Sequence, residues 1–328
     1  MIRYIIRRFL LMIPTVIAIT VLSFIIIQAP PGDYLDAYVA QLRALDQIID
    51  DAEVESLRIR YGLGQPMYVQ YFKWIGGLLR GDLGRSMQWN QPVSRILAER
   101  LPWSVLISLV SLLFVYAVAI PIGTTSATHQ YSIRDYVFTF FGFIGIAIPN
   151  FLFALILLYL YFVYTGDVVL GLFSPQFQFA PWSLAKFLDM LQHLWMPAII
   201  IGTAGTCGLI RVMRANLLDE LQKPYVLVAR AKGLTKRRVL YKYPFRIAIN
   251  PVVSTIGWVL PALVSGEVFV SLVLGLPTIG PVLFQSLLNQ DMWLAGSIVF
   301  ILSVLTVLGT LISDILLAWL DPRIKESI

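Results

Sequence analysis

The amino-acid sequence predicts an all-α integral membrane protein with six transmembrane helices, both termini cytoplasmic, and a folded external loop after the first helix. Three observations support this prediction. Hydrophobic residues make up 58% of the chain and charged residues only 13%, whereas a soluble domain is about half apolar and about a quarter charged. Apolar runs long enough to cross a bilayer recur along the chain. Basic residues cluster beside these runs, as the positive-inside rule requires.

The composition also excludes several kinds of chemistry. The net charge is +6, but orientation in a membrane explains the cations better than nucleic-acid binding does. The single cysteine, Cys207, permits no disulfide within the chain, and the only histidines are His129 and His193. A metal site or a histidine-based catalytic centre has almost no residues to be built from. We therefore expect no enzyme, no catalytic residue, no metal and no cofactor in this chain.

The first predicted element, residues 1–30, is a transmembrane helix. Phe9 to Ala29 is free of charges and spans about 31 Å as a helix, close to the thickness of a bilayer core. The preceding arginines, Arg3, Arg7 and Arg8, place the N-terminus in the cytoplasm. Because a signal peptide has a shorter apolar core, we expect this helix to remain uncleaved.

Residues 31–100 form the second predicted element, an extracytoplasmic loop domain. They contain eight basic and nine acidic residues, a balance typical of water-soluble structure. A loop of this length is not subject to the positive-inside count. Residues 46–61 and 66–79 have helical character.

Residues 101–322 form the predicted membrane core, followed by a cytoplasmic tail at 323–328. The third span is longer than a straight crossing needs, so we expect tilt or a kink at Gly142, Gly145 or Pro149. The five predicted spans of the core are Trp103–Ala127, Tyr136–Tyr164, His193–Val212, Ile249–Leu274 and Trp293–Leu320.

Two features inside the spans leave alternatives open. Glycines in the fourth span, among them Gly202 and Gly208, suit either close helix packing within the chain or a wall of a pathway against a second subunit. Glu267 is a carboxylate well inside the fifth span. It either lines a pathway or accepts hydrogen bonds from neighbours such as Ser265.

A basic loop, residues 211–246, is the strongest topological marker, with ten basic residues against two acidic ones. Pro224 suits a first helical turn, and Gly233 suits the left-handed residue that ends a helix. Between them, Tyr225, Val228, Ala229 and Lys232 recur at helical spacing, and a second basic helix follows from Lys236. The loop is either a solvated basic segment or a docking helix for a soluble cytoplasmic partner.

Several strings in the chain resemble one family. They are YVLVARAKGL (225–234), YGLGQP (61–66), WIGGLLRGDLGRSM (74–87), ERLPWS (99–104), LPTIGPVL (276–283) and DPR (321–323). The sequence resembles the permease subunits of ATP-binding-cassette importers, in the dipeptide and oligopeptide permease B branch of the binding-protein-dependent transport inner-membrane components. The resemblance covers nearly the whole chain.

The resemblance implies a bacterial inner-membrane, multi-pass subunit that forms half of a translocation pathway. Its partners would be a second homologous permease subunit, two ATP-binding-cassette ATPase subunits that bind ATP and Mg, an extracytoplasmic substrate-binding protein, and membrane lipid, with no nucleic acid. Among the residues expected in ATPase coupling, Ala229 and Gly233 match the family's loop signature, and Arg230, Lys232 and Leu234 match its branch-specific version. Tyr225 and Val228 join them through their helical spacing. Leu227 and Val228 stand where the wider family has a Glu-Ala pair, which favours apolar contact over a salt bridge.

The resemblance implies peptides as cargo, with one alternative. Many peptide permeases have an acid where this chain has Ser271, and chains with the GEV string (266–268) also occur beside oligosaccharide-uptake genes. Import of oligosaccharides or another small oligomer is therefore the alternative. A stand-alone channel or ion-coupled carrier is disfavoured, because carriers usually contain several intramembrane ionisable groups and internal repeats.

Overall fold

The computed structural model of the protein describes residues 2–30, 32, 34–36, 38–39, 51–61, 63–257 and 268–320. Regular structure in these ranges is helical. The helices are α1 (Ile2–Gln28), α2 (Asp51–Tyr61), α3 (Met67–Leu79), α4 (Val93–Thr128), α5 (Ile133–Ala147), α6 (Asn150–Thr165), α7 (Leu184–Leu221), α8 (Pro224–Ala231), α9 (Lys236–Lys242), α10 (Pro244–Ser254), α11 (Val268–Leu274), α12 (Ile279–Leu288) and α13 (Met292–Leu320).

Four of these helices, α1, α4, α7 and α13, are each long and apolar enough to cross a membrane. Two bent pairs, α5 with α6 and α11 with α12, pass the same test when each is taken as one span, which gives up to six. The predicted all-α membrane-spanning fold is confirmed. The described helices allow four to six crossings, and the predicted fifth span, Ile249–Leu274, lies partly outside the described residues.

The third predicted span is broken rather than kinked. The chain bends by 107° between α5 and α6. Ile148 ends α5 with an extended backbone, and Pro149 precedes the first turn of α6. A residue before proline is pushed out of the helical region, and proline has no N–H to continue the ladder. The predicted position at Pro149 is therefore confirmed, but the bend is far sharper than a tilt would need.

Helix α7 corrects the prediction of a short fourth span at His193–Val212. The helix runs over 38 residues, about 57 Å at ~1.5 Å per residue, so it is longer than a bilayer core is thick. Its N-terminus is capped by Ser183, whose side chain accepts a hydrogen bond from the Lys186 amide. The nine residues that precede the predicted fourth span, 184–192, thus belong to α7.

The described residues of 6–104 and 278–305 form one compact unit. One of its apolar clusters surrounds Trp74 of α3, which is fully buried against Phe24, Ile27, Met292 and Ala295. A second cluster joins the start of α4 to α12 and α13. The helices predicted near 46–61 and 66–79 are present as α2 and α3, although residues 40–50 lie outside the described ranges.

The loop between α3 and α4 is a tight structure within this unit. Gly84 has φ +77°, and a Cβ there would lie 2.5 Å from the Trp293 ring. Arg85 donates hydrogen bonds to the backbone oxygen and the side chain of Asn90. Ser86 donates to the buried carboxylate of Asp291 at 2.5 Å. The glycines and polar residues of the string 74–87 therefore shape a turn that packs on the start of α13.

The described residues of 1–5, 105–277 and 306–320 form a second compact unit. Its main apolar cluster joins α10 to α7 and α4 through fully buried side chains such as Val252, Met213 and Val115. Helices α4 and α7 approach closely at Gly123, where a Cβ would lie 2.8 Å from the Cβ of Met213. This cluster anchors both ends of the basic loop, because α7 leads into the loop and α10 leaves it.

Candidate functional site

The basic loop contains a short helix, α8, whose ends are set by the sequence. Pro224 occupies the first helical position after Lys223, the N-cap residue. Gly233 has φ +74° and its amide donates to the Arg230 carbonyl at 3.0 Å. Proline lacks the N–H that would be unsatisfied in the first turn, and glycine adopts a left-handed backbone without strain. Both predicted boundary signals are confirmed, and the second predicted helix is present as α9.

One face of α8 is fixed to the rest of the loop. Val226 and Ala229 are buried against Val239 of α9. The Tyr225 hydroxyl donates a hydrogen bond to Glu220 in the last turn of α7. Burial, reinforced by the hydrogen bond and charge of Glu220, raises the pKa of Tyr225 above its ordinary value, so this hydroxyl stays protonated as a donor. Helix α8 is thus attached to both α7 and α9.

The opposite face of α8 is an exposed apolar stripe. We define the outer stripe as Pro224, Leu227, Val228 and Ala231, which are all exposed and recur at i, i+3, i+4 and i+7. The side chains of Leu227 and Val228 are 59% and 54% exposed. Arg230 and Lys232 are also exposed beside the stripe. A helix that is fixed on one side and apolar on the other has the form of a helix that fits a groove.

The structure divides the predicted coupling residues between these two faces. Val228, Arg230, Lys232 and Gly233 are exposed, whereas Ala229 is buried and Tyr225 and Leu234 are partly buried in the cluster with α9. The predicted face of Tyr225, Val228, Ala229 and Lys232 therefore does not coincide with the exposed surface. The exposed surface is rotated by about one residue and includes Leu227.

A buried ion pair lies beneath the loop and joins three helices. Arg214 of α7 binds Asp135 of α5 through two hydrogen bonds, Nη2 to Oδ2 at 2.8 Å and Nε to Oδ1 at 2.9 Å. Ser126 of α4 also donates to Asp135, and the Tyr131 amide donates to its other oxygen at 3.0 Å. The Asp135 side chain is only 3% exposed. A bidentate pair of this kind fixes both distance and orientation, so it sets the positions of α4, α5 and α7 where α7 enters the basic loop.

The sequence interpretation missed this pair, because Arg214 is one of the ten cations of the basic loop and Asp135 lies between the second and third predicted spans. A local signal exists for one partner. Ser132 caps α5 by accepting from the Asp135 amide, and an acid three residues after a serine is the spacing of a capping box. That spacing would have placed Asp135 in the first helical turn, but it would not have identified Arg214.

The sequence left two questions open, the role of the glycines in the fourth span and the role of Glu267, and the structure answers only the first. A Cβ at Gly202 would lie 2.8 Å from the Phe114 ring, whereas nothing lies within 4 Å of one at Gly208. Gly202 therefore serves close packing of α7 on α4. Glu267 lies outside the described residues, as do Ser265 and the predicted tail at 323–328, so the pathway-lining role of Glu267 stays a prediction.

Spans that cross a bilayer, together with a short helix whose apolar face is open at the end of one of them, define a multi-pass membrane protein with a surface for another subunit. The chain belongs to the family of binding-protein-dependent transport system inner membrane components, whose model matches residues 119–326. The N-terminal model of the same family matches residues 1–110. The predicted membership is confirmed, and the chain is a membrane-embedded permease subunit of a transport system.

Three relatives illustrate the breadth of the family. The oligopeptide transport system permease protein AppB of Bacillus subtilis (strain 168) is 39% identical over 326 residues, 98% of this chain and 99% of AppB. The dipeptide transport system permease protein DppB of Escherichia coli (strain K12) is 30% identical over 342 residues, 99% of each chain. The peptidoglycan transport system permease protein YejB of Agrobacterium fabrum (strain C58) is 28% identical over 355 residues, 98% of this chain and 97% of YejB.

Proposed function

We propose that this chain is the permease subunit of an ATP-driven importer and moves peptides delivered by a substrate-binding protein. It pairs with a second, homologous permease subunit around a central pathway. Two ATP-binding-cassette ATPase subunits bind ATP and Mg and supply the driving force, so this chain hydrolyses nothing itself. The basic loop and both termini face the cytoplasm, as the loop's excess of cations favours. The external loop domain, residues 31–100, contacts the substrate-binding protein.

The observation that supports this proposal most directly is the outer stripe of α8. Apolar side chains on a helix outside the spans lose contact with water when a groove on another protein covers them. The opposite face is held by Val226, Ala229 and Tyr225, so a push on the stripe moves α7 and α9 instead of rotating α8 alone. The stripe is therefore suited to transmit movement of an ATPase subunit to the spans.

The test replaces one apolar side chain of the stripe with a charge. Because Val228 is 54% exposed, Val228→Asp leaves the fold intact but places a carboxylate in the proposed groove, where burying an unpaired charge is strongly unfavourable. We expect substrate-stimulated ATPase activity of the assembled transporter to fall at least about tenfold, the effect of about 1.4 kcal/mol.

Thr235→Asp is the matched control for this experiment. It adds the same charge to the same loop at an exposed N-cap position, where aspartate is favoured. We expect this variant to keep its ATPase stimulation. Normal stimulation in Val228→Asp, or an equal loss in both variants, would remove the assignment of α8 as the coupling helix.

The cargo proposal rests on the relatives. AppB and DppB are named as oligopeptide and dipeptide permease proteins, which supports peptides. YejB is named for peptidoglycan transport, which supports a cargo containing sugar as the second candidate. Thermal-shift screening of the substrate-binding protein that works with this permease distinguishes them. Stabilisation by peptides alone supports the first candidate, and stabilisation by saccharides or muropeptides supports the second.

A further inference from the structure

The second helix of the basic loop, α9, has two unlike sides. Val239 is 2% exposed and packs in the cluster with α8, and Leu240 and Tyr243 are partly buried beside it. The side chains on the opposite side are exposed. We define the basic face as Arg237, Arg238, Tyr241 and Lys242, which occupy that side of α9.

The cations of the basic face have no acidic partner among the described residues. The ion pairs of the described part of the chain lie elsewhere, at Arg58, Arg95, His193 and Arg214. The Lys242 ammonium lies 5.6 Å from the centre of the Tyr243 ring, and the nearby Glu220 accepts from Tyr225. The basic face is therefore complementary to an anionic surface outside this chain.

The position of α9 indicates which anionic surface this is. Helix α9 contacts α8 on one side and α10 on the other, and α10 is packed into the apolar cluster of the spans by Ala248 and Val252. Lys242 precedes Ile249, the start of the predicted fifth span, by only seven residues, and Tyr243 alone separates α9 from α10. The chain therefore keeps the basic face close to the surface of the bilayer.

The aromatic side chains beside these cations are also typical of the bilayer surface. The Tyr241 ring is 52% exposed and lies 5.3 Å from the Phe245 ring at the start of α10. Tyrosine is enriched where the bilayer meets water, since its ring is apolar and its hydroxyl is polar. Arginine adds planar, bidentate recognition of phosphate.

We propose that the basic face binds the headgroups of anionic phospholipids and holds α9 on the membrane surface. Helix α8 is then left free for the nucleotide-hydrolysing subunit. The inference rests on the proposed function only in placing the basic loop in the cytoplasm. The loop thus has two partners, with the outer stripe contacting protein and the basic face contacting lipid.

The test uses a photo-crosslinking amino acid, benzoylphenylalanine, in place of Tyr241 in the assembled transporter. The complex is reconstituted in nanodiscs containing equal amounts of phosphatidylglycerol and phosphatidylcholine, and the adducts are identified by mass spectrometry. We expect phosphatidylglycerol adducts to exceed phosphatidylcholine adducts at least about fivefold, the factor that one cation contributes near a membrane surface. Combining Arg237→Gln, Arg238→Gln and Lys242→Gln is expected to bring the ratio close to one.

The matched control removes three other cations from the same loop. The combination of Lys223→Gln, Arg230→Gln and Lys232→Gln makes the same change in charge on exposed positions around α8, and it is expected to leave the lipid ratio unchanged. An equal ratio without substitutions, an adduct to a protein subunit, or the same loss in both triple variants would overturn the proposal.

The same crosslinker at Leu227 reports on the proposed function separately. It is expected to form an adduct with an ATPase subunit. Failure at Leu227 with a selective lipid adduct at Tyr241 would refute the ATPase contact alone. The reverse pattern would refute only the lipid contact.

Discussion

The buried pair of Asp135 and Arg214 allows a quantitative test of how the basic loop is attached to the spans. The perturbation is a double-mutant cycle with Asp135→Asn, Arg214→Gln and the combination of both. The two single variants leave different charged groups without a partner. Arg214 is 27% exposed and reaches water, whereas Asp135 is 3% exposed and would be left as a buried charge.

The magnitude follows from this asymmetry. Breaking a buried pair by removing one partner costs about 3–5 kcal/mol. Asp135 would keep its hydrogen bonds from Ser126 and the Tyr131 amide, so we expect Arg214→Gln to cost about 3 kcal/mol, the lower end of that range. Asp135→Asn should cost about 2 kcal/mol, because the partly exposed guanidinium remains hydrated. A coupling free energy of about 2 kcal/mol is expected between the two sites.

The assay is reversible unfolding of the purified chain in mixed micelles, monitored by circular dichroism. The matched control is a cycle on Arg95 and Glu99, whose Nε to Oε1 distance is 3.0 Å but whose side chains are 68% and 55% exposed. That pair should couple by only about 0.3–0.5 kcal/mol. If the Asp135–Arg214 coupling were as small as that of the control, the pair would not fix the three helices as described.

Two further predictions concern the external turn and the attachment of α8. Gly84→Ala is expected to lower the free energy of unfolding by about 2–4 kcal/mol, because it combines a positive φ with overlap on Trp293. The control, Gly81→Ala, has a positive φ but nothing within 4 Å of the added Cβ, so it should cost about 1 kcal/mol. Equal losses of stability on chemical denaturation would contradict the packing argument. Tyr225 has a raised pKa, so its stabilising contribution is complete below about pH 10, its unfolded value, and is lost as pH rises through the folded value. The ultraviolet titration of Tyr225→Phe should therefore lack a tyrosine that ionises above pH ~10, and loss of one that ionises near pH ~10 would contradict this account.

The sequence was most informative where a single residue type determines local backbone geometry. Pro224 and Gly233 fixed both ends of α8, and Pro149 located the break between α5 and α6. The angle of that break was not predictable, because it depends on how α5 and α6 pack on α7. A proline determines where a helix ends, but it does not determine the direction of the next helix.

The misjudged features depended on contacts between distant residues. The prediction began the fourth span at His193, after the polar residues Lys186 and Asp189. In the structure Lys186 donates to the Ala180 carbonyl and Asp189 accepts from Ser174, so both side chains are buried. The exposed face of α8 was misplaced for a related reason. Both sides of that helix are apolar, and only the packing of Val239 decides which side is covered.

The length and continuity of α7 have a mechanical consequence. If α7, about 57 Å long at ~1.5 Å per residue, moves as one straight helix, a turn of about 5° about one end displaces the other end by about 5 Å. Its own backbone hydrogen bonds stay intact in such a movement. Near the C-terminal end of α7, Glu220 accepts a hydrogen bond from Tyr225. Near its N-terminal end, Asp189 accepts one from Ser174. A small swing imposed at one side of the bilayer is therefore amplified into a shift the size of an amino-acid side chain at the other.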